Sequence, residues 1–462
     1  MAPEVLKPAC IVYTPGIKAT KHVSFLSQKS IFVQTPPSVL EAMETTRAKL
    51  LCECKDFSKP TQYQWEQAKA QFQWEAYMEN ATQYLSLLQG YFAPKETPPP
   101  PSEEATEEDQ SKKKLLKSTQ TTTPISFASC EWLDVAAKSA VHSLNAFHEY
   151  AHTMYAIVCI LFQRASDLAN IMLSTRDFDF DEPKLKEAYQ ILLRASGICD
   201  STLGFLGYTR QAPTTTNTSS NDAAMEAWRA EQAQADTASQ FAKELSRVKD
   251  FEGGIILTAM RSIALAQAQE LVVLRGVTRE TVDWVLMGKL CSDIAKRYKG
   301  MSFSLTWVLI FKILPPNQPR LRAWCDFKSI YYSALSPYYQ GVAEWNKNDA
   351  AGCVQAIAQY QQAKEELAKL QTFAAETQRS REIIQRDLDI AAARNSSIYF
   401  ESIPTPLPEL PPTSLVQIQT FSTPVVNTLW KEPVPVNTTA SAPPRGSPAL
   451  KQPDPGCGCT IM

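Results

Sequence analysis

The chain is poor in the residues that build most catalytic and nucleotide-binding sites. It contains only 15 glycines and 4 histidines among 462 residues. The glycines form neither a GxxxxGK or GxGxxG phosphate loop nor a GxSxG nucleophile elbow, which excludes the nucleotide-binding and serine-hydrolase classes that depend on them. A formal net charge of −2 leaves no overall basic surface, so we expect no nucleic-acid partner, and we expect no cofactor.

Membrane signals in the body of the chain and near its start are also missing. The longest apolar stretch, residues 154–162, is about half of the ~18 residues that a spanning helix needs. Ala2 stands where N-myristoylation requires glycine, and no signal-peptide pattern is present. We therefore expect a cytoplasmic body that needs an attached lipid to stay on a membrane.

Cysteine is more frequent, with 11 residues, but these form no recognisable framework. Cys52 and Cys54 have one residue between them, which fits neither a C-x-x-C redox motif nor a zinc knuckle. We expect reduced thiols, several of which act as small apolar side chains. The cysteines predicted to lie in the core are Cys159, Cys199, Cys291 and Cys325.

What the chain does contain is helical periodicity, which predicts a mostly α-helical fold. Residues 1–36 are rich in Val, Ile, Pro and Thr and are predicted to form a small N-terminal β element. Asp181 is a predicted helix N-cap, and Pro183 suits the first turn after it. Helices are predicted at 38–51, 61–91, 131–173, 181–204, 223–248, 254–300, 320–345, 349–374 and 376–395.

Polar and proline-rich segments divide the chain. Residues 1–415 are predicted to form one helical domain, interrupted by disordered insertions at 93–124 and 209–222. The helical pair 320–345 and 349–374 resembles a tetratricopeptide unit, although no second copy follows at a fixed period. Residues 416–462 are predicted to be a flexible tether rich in Pro, Ser and Thr, whose final part reaches about 30 Å.

The last four residues form a C-a-a-X box that begins at Cys459 and ends at Met462. A prenyl transferase would attach its lipid to the Cys459 thiolate, and a terminal Met favours farnesyl. Cys457, two residues earlier, is a candidate for a second, palmitoyl chain. The sequence thus predicts a membrane-anchored protein without a spanning helix.

A different motif supports an alternative function. His148, Glu149 and His152 satisfy H-E-x-x-H, which on a helix places two histidines one turn apart. In a zinc-dependent hydrolase the histidines bind the metal and the glutamate acts as general base. Such a site also needs a third protein ligand, and no histidine follows His152. The hydrolase is therefore kept as the alternative hypothesis.

Four short motifs resemble the BRO-domain family of ALIX-like proteins. They are Ser86-Leu87-Leu88-Gln89-Gly90, Ala195-Ser196-Gly197-Ile198, Ala266-Gln267-Ala268-Gln269-Glu270, and Ile398-Tyr399 followed by Ile403-Pro404. The C-a-a-X box makes the chain similar to the prenylated, BROX-like branch of that family. The resemblance implies an elongated, curved helical domain with a tetratricopeptide-like core, a small N-terminal β element and a disordered proline-rich tail.

The family resemblance also implies a function and a site. It implies a non-catalytic adaptor whose groove binds the amphipathic C-terminal helix of an ESCRT-III charged multivesicular body protein, in membrane remodelling, sorting or repair. The expected location is cytoplasmic and peripheral, on endosomal membranes or the nuclear envelope. By the same resemblance, the partner-binding residues are Lys186, Val272, Arg275, Leu286 and Leu290.

Helix-in-groove recognition requires an apolar floor and charged groups at the rim. Leu286 and Leu290 are four residues apart and therefore share one helical face. Leu290→Asp is accordingly expected to abolish binding while leaving the fold intact. Tyr399 has two interpretations, as an anchor for the extended segment or, as a weaker alternative, as a phosphorylation site in a signalling scaffold.

Overall fold

The computed structural model describes Leu6 and residues 12–58, 62–91, 126–174, 181–208, 243–303, 319–370, 374–405 and 410–433. The predicted insertions at 93–124 and 209–222 lie outside the described residues, as does most of the helix predicted at 223–248. Cys457 and Cys459 also lie outside them.

Helices dominate the described chain, as predicted. They are α1 Pro37–Leu50, α2 Gln62–Ala68, α3 Trp74–Gln89, α4 Ala146–Ser174, α5 Glu182–Phe205, α6 Ile255–Val277, α7 Trp284–Phe303, α8 Pro319–Trp345, α9 Ala350–Ala368 and α10 Ala374–Arg394. The predicted cap of α5 is confirmed, because the Asp181 carboxylate accepts a hydrogen bond from the Lys184 N–H and Pro183 lies in the first turn.

Two helix predictions were wrong in their extent. Residues 131–143 were predicted as the start of a helix, but they belong to an antiparallel hairpin of β1 Cys130–Asp134 and β2 Ser139–Ser143. Alternation explains this: β1 is buried at every second residue, a period-2 pattern that suits a strand. The helix predicted at 61–91 is divided into α2 and α3, with Phe72 and Gln73 extended between them.

The small β element is present, but its strands lie mainly outside the predicted N-terminal segment. Thr20 supplies the N-terminal contribution through bridges to Glu53 and Trp132. Its N–H donates to the Cys52 carbonyl, and the Lys21 N–H donates to the Glu131 carbonyl. Residues 19–21 thus lie between the segment after α1 and strand β1.

The long helices are stacked in chain order. From α4 to α10, each helix packs against the next one in the chain, and the most extensive contacts are those of α8 with α7 and α9. The turn between α8 and α9 falls at residues 346–348, as predicted, with Asn348 in the left-handed region at φ 57°. Stacking of neighbouring antiparallel helices gives the curved, tetratricopeptide-like architecture that the resemblance implied.

The core is apolar and includes several charged groups that are buried in pairs. Lys18 donates to Asp250 at 2.5 Å, Arg47 donates to Glu149 at 3.0 Å, and Lys328 donates to Glu270 at 2.5 Å. Each pair is screened from water, so removing one partner would leave an uncompensated charge. The cysteines predicted to fill the core are buried: Cys159, Cys199, Cys291 and Cys325.

One described helical segment, Glu252–Val277, is long and apolar enough to cross a membrane. Of its most apolar window, 78% is buried inside the protein. That burial is what the central helix of a folded domain requires, and α6 packs between α5 and α7.

Residues 410–433, here called the strap, run back over the helices without regular structure except for a 3-10 turn at Thr428–Lys431. Val416 and Phe421 are buried against the helical core, and Trp430 is half-buried there. The flexible tether was predicted to begin at residue 416, so the structure corrects that boundary. The apolar side chains of the strap pack on the domain as far as residue 430, which proline content alone did not indicate.

Candidate docking site

The candidate site lies on one surface stripe of helix α5. Lys186, Gln190, Leu193 and Gly197 follow the i, i+4, i+7, i+11 spacing that keeps side chains on one face of a helix. Lys186 is exposed, whereas Gln190 and Leu193 are partly exposed. The stripe begins at an open surface, and its other end lies beneath the strap.

Gly197 marks the covered end of the stripe. A Cβ atom at this position would lie 1.7 Å from the carbonyl oxygen of Gln419. Any side chain here would therefore collide with the main chain of the strap. Only glycine allows the strap to cross the helix so closely.

Gln269 on α6 fixes the strap beside this crossing. Its side-chain oxygen accepts hydrogen bonds from the Leu415 N–H and the Ser414 hydroxyl, both at 3.1 Å. Its side-chain nitrogen donates to the Leu290 carbonyl at 3.2 Å and to the Asp293 carboxylate at 2.8 Å. One buried amide thus links the strap to both α6 and α7.

The far end of the strap is held by helix α3. The Asn427 N–H donates to the Ser86 carbonyl at 3.1 Å, and the Trp430 indole N–H donates to the Leu87 carbonyl at 2.8 Å. The Trp430 ring lies where a Cβ of Gly90 would be, within 2.4 Å. Three of the four motifs that carry the family resemblance therefore contact the strap.

The open end of the same surface continues across α6 and α7. Gln269 contacts the Leu290 carbonyl, and Gly276 lies against Met287, so Val272 lies between these two contacts and Leu286 is next to the second one. Both are only partly buried and pack against the core. Leu193 of α5 is also partly buried against the core, and the surface that carries Leu193, Val272 and Leu286 is here called the docking groove.

Two basic side chains that were predicted to bind the partner, Lys186 and Arg275, are exposed near the docking groove. Lys186 is exposed, and Arg275 pairs with Glu182 across the two helices. This pair and the Arg261–Asp200 pair at 2.5 Å fix α5 and α6 antiparallel, which places Lys186 beside Val272. Arg275 and Glu182 are 45% and 51% exposed, so the pair is weak and an acidic partner could compete for the guanidinium.

The structure corrects the assignment of Leu290. Its side chain is 0% exposed and belongs to the core, so it cannot line a groove. Leu286 and Leu290 do share a helical side, but Leu286 is only partly buried, whereas Leu290 lies wholly in the core. Residue spacing alone does not show which of two side chains on the same side of a helix is buried by its neighbours.

Sequence reasoning missed two apolar residues of the groove. Tyr189 and Leu193 are partly buried on α5 and pack against the core. Their spacing from Lys186, at i+3 and i+7, was the available signal. It was not used because the resemblance supplied one basic position on this helix and no apolar one.

The H-E-x-x-H residues do not fit a catalytic zinc site. The Glu149 carboxylate is 0% exposed and accepts hydrogen bonds from Arg47 at 3.0 Å, Tyr84 at 3.1 Å and Trp132 at 2.7 Å. A general base must instead face a water molecule. Glu149 ties the β hairpin to α1 and α3.

The two histidines of the motif are also enclosed. His152 stacks on Trp132, with the ring centroids 5.3 Å apart, and burial lowers its pKa well below the usual value, which keeps it neutral. His148 accepts a hydrogen bond from the Leu144 N–H and faces Glu244 at 3.4 Å. Among the described residues, no group of three His, Cys, Asp or Glu side chains could hold a metal ion.

Tyr399 lies at the end of α10 as an anchor. Arg394 donates to its hydroxyl at 2.9 Å and also lies over its ring, 5.4 Å from the centroid. Phe400, the next residue, has φ 58° and ends the helical turn. These contacts support the interpretation of Tyr399 as a structural residue.

Comparison with known proteins gives results in agreement with this architecture. A family model described as a BRO1-like domain matches residues 112–442. No curated protein matches the chain by sequence.

Solved structures match over most of the chain. A structure of an ALIX BRO1–CHMP4C complex matches with a TM-score of 0.58 and 14% identity, over 91% of this chain and 98% of that one. A structure of ALIX in complex with the SIVmac239 PYKEVTEDL late domain matches with a TM-score of 0.57 and 16% identity, over 90% of this chain but 50% of that one. A Bro1-domain structure concerned with endosomal targeting matches with a TM-score of 0.55 and 14% identity, over 90% of this chain and 94% of that one. At these identities the likeness shows a shared fold.

Proposed function

This chain belongs to the family of proteins with a BRO1-like domain, and from that premise we propose that its docking groove binds an amphipathic, acidic helix. The proposed partner is the C-terminal helix of an ESCRT-III charged multivesicular body protein. A structural neighbour in complex with CHMP4C supports this class of partner. The chain would then act as a non-catalytic adaptor in membrane remodelling, sorting or repair.

The observation that carries the proposal is the composition of the docking groove. Its floor is apolar and partly exposed at Leu193, Val272 and Leu286, and its rim carries Lys186 and Arg275. A helix with one apolar face and acidic flanks would cover the first set and pair with the second. The weak Glu182 pair keeps Arg275 oriented until a partner carboxylate replaces it.

Calorimetric titration with an acidic, amphipathic helical peptide tests this assignment. Leu286→Asp places a carboxylate on the apolar floor and is expected to weaken binding by about 30-fold or more, a loss of roughly 2 kcal/mol. Ile390→Asp is the matched control, because Ile390 is also an exposed apolar residue but lies on α10. Equal affinity of wild type and Leu286→Asp would refute the groove.

The second part of the proposal concerns the membrane. We propose that Cys459 carries a farnesyl group, with Cys457 as a possible site for palmitoyl, and that the protein is peripheral on endosomal membranes or the nuclear envelope. One lipid chain gives only marginal membrane binding. An ESCRT-III polymer held in the docking groove would supply the second attachment through avidity.

Mass spectrometry of the C-terminal peptide from cells tests the lipid directly. The expected result is loss of Thr460, Ile461 and Met462 and a farnesyl mass on Cys459. Cys459→Ser is expected to release the protein into the cytosol. An intact, unmodified C-terminus in the wild-type protein would contradict this part of the proposal without affecting the groove.

A further inference from the structure

A second groove lies beside the strap. It is bounded by α3, α5 and the strap and encloses about 720 Å³. Its polar lining includes Thr82, Gln83, Arg194, Thr420, Ser422 and Asn427. We propose that this groove, here called the strap groove, binds an extended acidic peptide of a partner protein, with Arg194 as the residue that pairs with a carboxylate.

Arg194 is the first reason for this inference. Its side chain is partly buried, and its Nε atom is shielded from solvent without a hydrogen-bond partner among the described residues. No ion pair or other hydrogen bond of this guanidinium is present in that part of the chain. Other arginines on the packed surfaces of α5 and α6 are paired, for example Arg261 with Asp200.

An unpaired and partly desolvated guanidinium favours an anionic ligand. Charge-assisted hydrogen bonds are shorter and about twice as strong as neutral ones, and the planar guanidinium fits a carboxylate in bidentate geometry. Because part of the desolvation cost is already met in the folded protein, a carboxylate gains more from Arg194 than from an arginine in open water. The one acidic residue that lines the groove, Glu79, is exposed and forms no ion pair with Arg194 among the described residues.

The strap supplies the second, independent reason. Residues 420–423 belong to no helix or strand, and their backbone groups form no hydrogen bonds within the described chain. An extended peptide lying alongside could pair with these groups, as peptides do when they add to the free edge of a sheet. The hydroxyl groups of Thr420 and Ser422 offer further donors beside it.

The strap groove is separate from the docking groove. Arg194 lies eight positions after Lys186 on α5, which rotates it by about 80° around the helix axis. That rotation turns Arg194 towards α3, whereas Lys186 borders α6. The two sites therefore make independent predictions, and the strap groove does not rest on binding of an ESCRT-III helix.

Fluorescence anisotropy of the full chain tests the proposal, with labelled hexaglutamate as the probe and hexaglutamine as its neutral counterpart. At low ionic strength, where exposed charges are least screened, hexaglutamate is expected to bind and hexaglutamine is not. Arg194→Gln is expected to weaken hexaglutamate binding by about tenfold. Arg379→Gln is the matched control, since Arg379 is exposed on α10 and already paired with Glu382.

Thr82→Glu is a second variant that places a carboxylate in the groove without touching the core. Thr82 is exposed, so the variant is expected to keep the wild-type melting temperature and to weaken hexaglutamate binding by about threefold or more. It decides the question if Arg194→Gln does not fold.

Two results would overturn the proposal. One is wild-type affinity for hexaglutamate in folded Arg194→Gln or Thr82→Glu protein. The other is Arg194-dependent binding to vesicles that contain a phosphoinositide, without binding to hexaglutamate, which would assign the groove to a lipid headgroup.

Discussion

The two ends of the α5 stripe share one helical face, but only one of them is covered by the strap. At one end Gly197 lies under the main chain of the strap, and at the other Leu193 and Lys186 remain open. The difference lies in side-chain size: glycine admits a crossing backbone, and a larger residue would exclude it. The strap thus covers one end of the α5 stripe, and the other end stays exposed and available to a partner.

The strap also sets the length of the open end. Gln269 holds the strap at residues 413–415 directly beside the α6–α7 contact. A helix bound over Val272 and Leu286 would meet the strap within about two turns. The strap at the covered end therefore limits how far a bound helix can extend along the docking groove.

The largest expected effect is a difference in stability between two variants of helix α7, one at a core residue and one at a groove residue. Leu290→Asp buries a carboxylate with no partner and is expected to lower the free energy of unfolding by about 4 kcal/mol or more. Leu286→Asp, on the partly exposed residue, is expected to cost about 1 kcal/mol and to act on binding instead. Urea denaturation of both variants measures this.

A Leu290→Asp protein with wild-type stability and lost binding would break the comparison. It would restore the original expectation that Leu290 lines the groove. The Leu286→Asp variant is the internal control, because it carries the same substitution one turn away.

The next effect concerns the covered end. Gly197→Ala places a Cβ against the Gln419 carbonyl, so the strap must shift, at a cost of about 1–3 kcal/mol. Hydrogen exchange is expected to speed up at the hydrogen-bonded amides of the strap, such as those of Leu415 and Asn427. Gly300→Ala is the control: Gly300 lies in α7 with open space around it, so its replacement is expected to be neutral or stabilising by up to about 1 kcal/mol.

Unchanged exchange of the strap in Gly197→Ala would contradict this account of the covered end. It would mean that the close approach at Gly197 does not determine where the strap lies.

The smallest effect concerns the rim of the open end. Glu182→Gln removes the carboxylate that pairs with Arg275 and should free the guanidinium for an acidic helix. Because exposed pairs are worth about 0.2–1 kcal/mol, affinity is expected to rise by about 1.4- to fivefold. Calorimetric titration measures the change, and Glu187→Gln, which removes the partner of Arg164 instead, is the control. A fall in affinity would show that Glu182 itself contacts the partner.

Much of the helical architecture could be predicted from the sequence, because apolar periodicity and the α5 cap are local signals. The hairpin at 130–143 could not, since its short alternating pattern borders a long apolar helix. The strap was missed for another reason. Its proline content favours an extended chain, but only the receiving surface, with Gly197 and Gln269, determines whether that chain packs.

Some residues of the candidate site could likewise be predicted from the sequence, and others could not. Lys186 and Arg275 were placed correctly at an exposed surface, because unpaired charges rarely lie in a core. Leu286 and Leu290 are the same residue type on one side of α7, and only the packed structure shows that the first is partly exposed and the second buried. The motifs Ala195–Ile198 and Ala266–Glu270 were expected to identify a partner-binding family, and in the structure they hold the strap and a buried ion pair.

Photo-crosslinking tests the central claim, that the open end binds the partner helix and the covered end does not. p-Benzoylphenylalanine would replace either Gln190, at the open end of the stripe, or Gln417, on the exposed side of the strap. With the acidic amphipathic helical peptide, a crosslink is expected from position 190 and not from position 417. A crosslink from position 417 alone would contradict the claim.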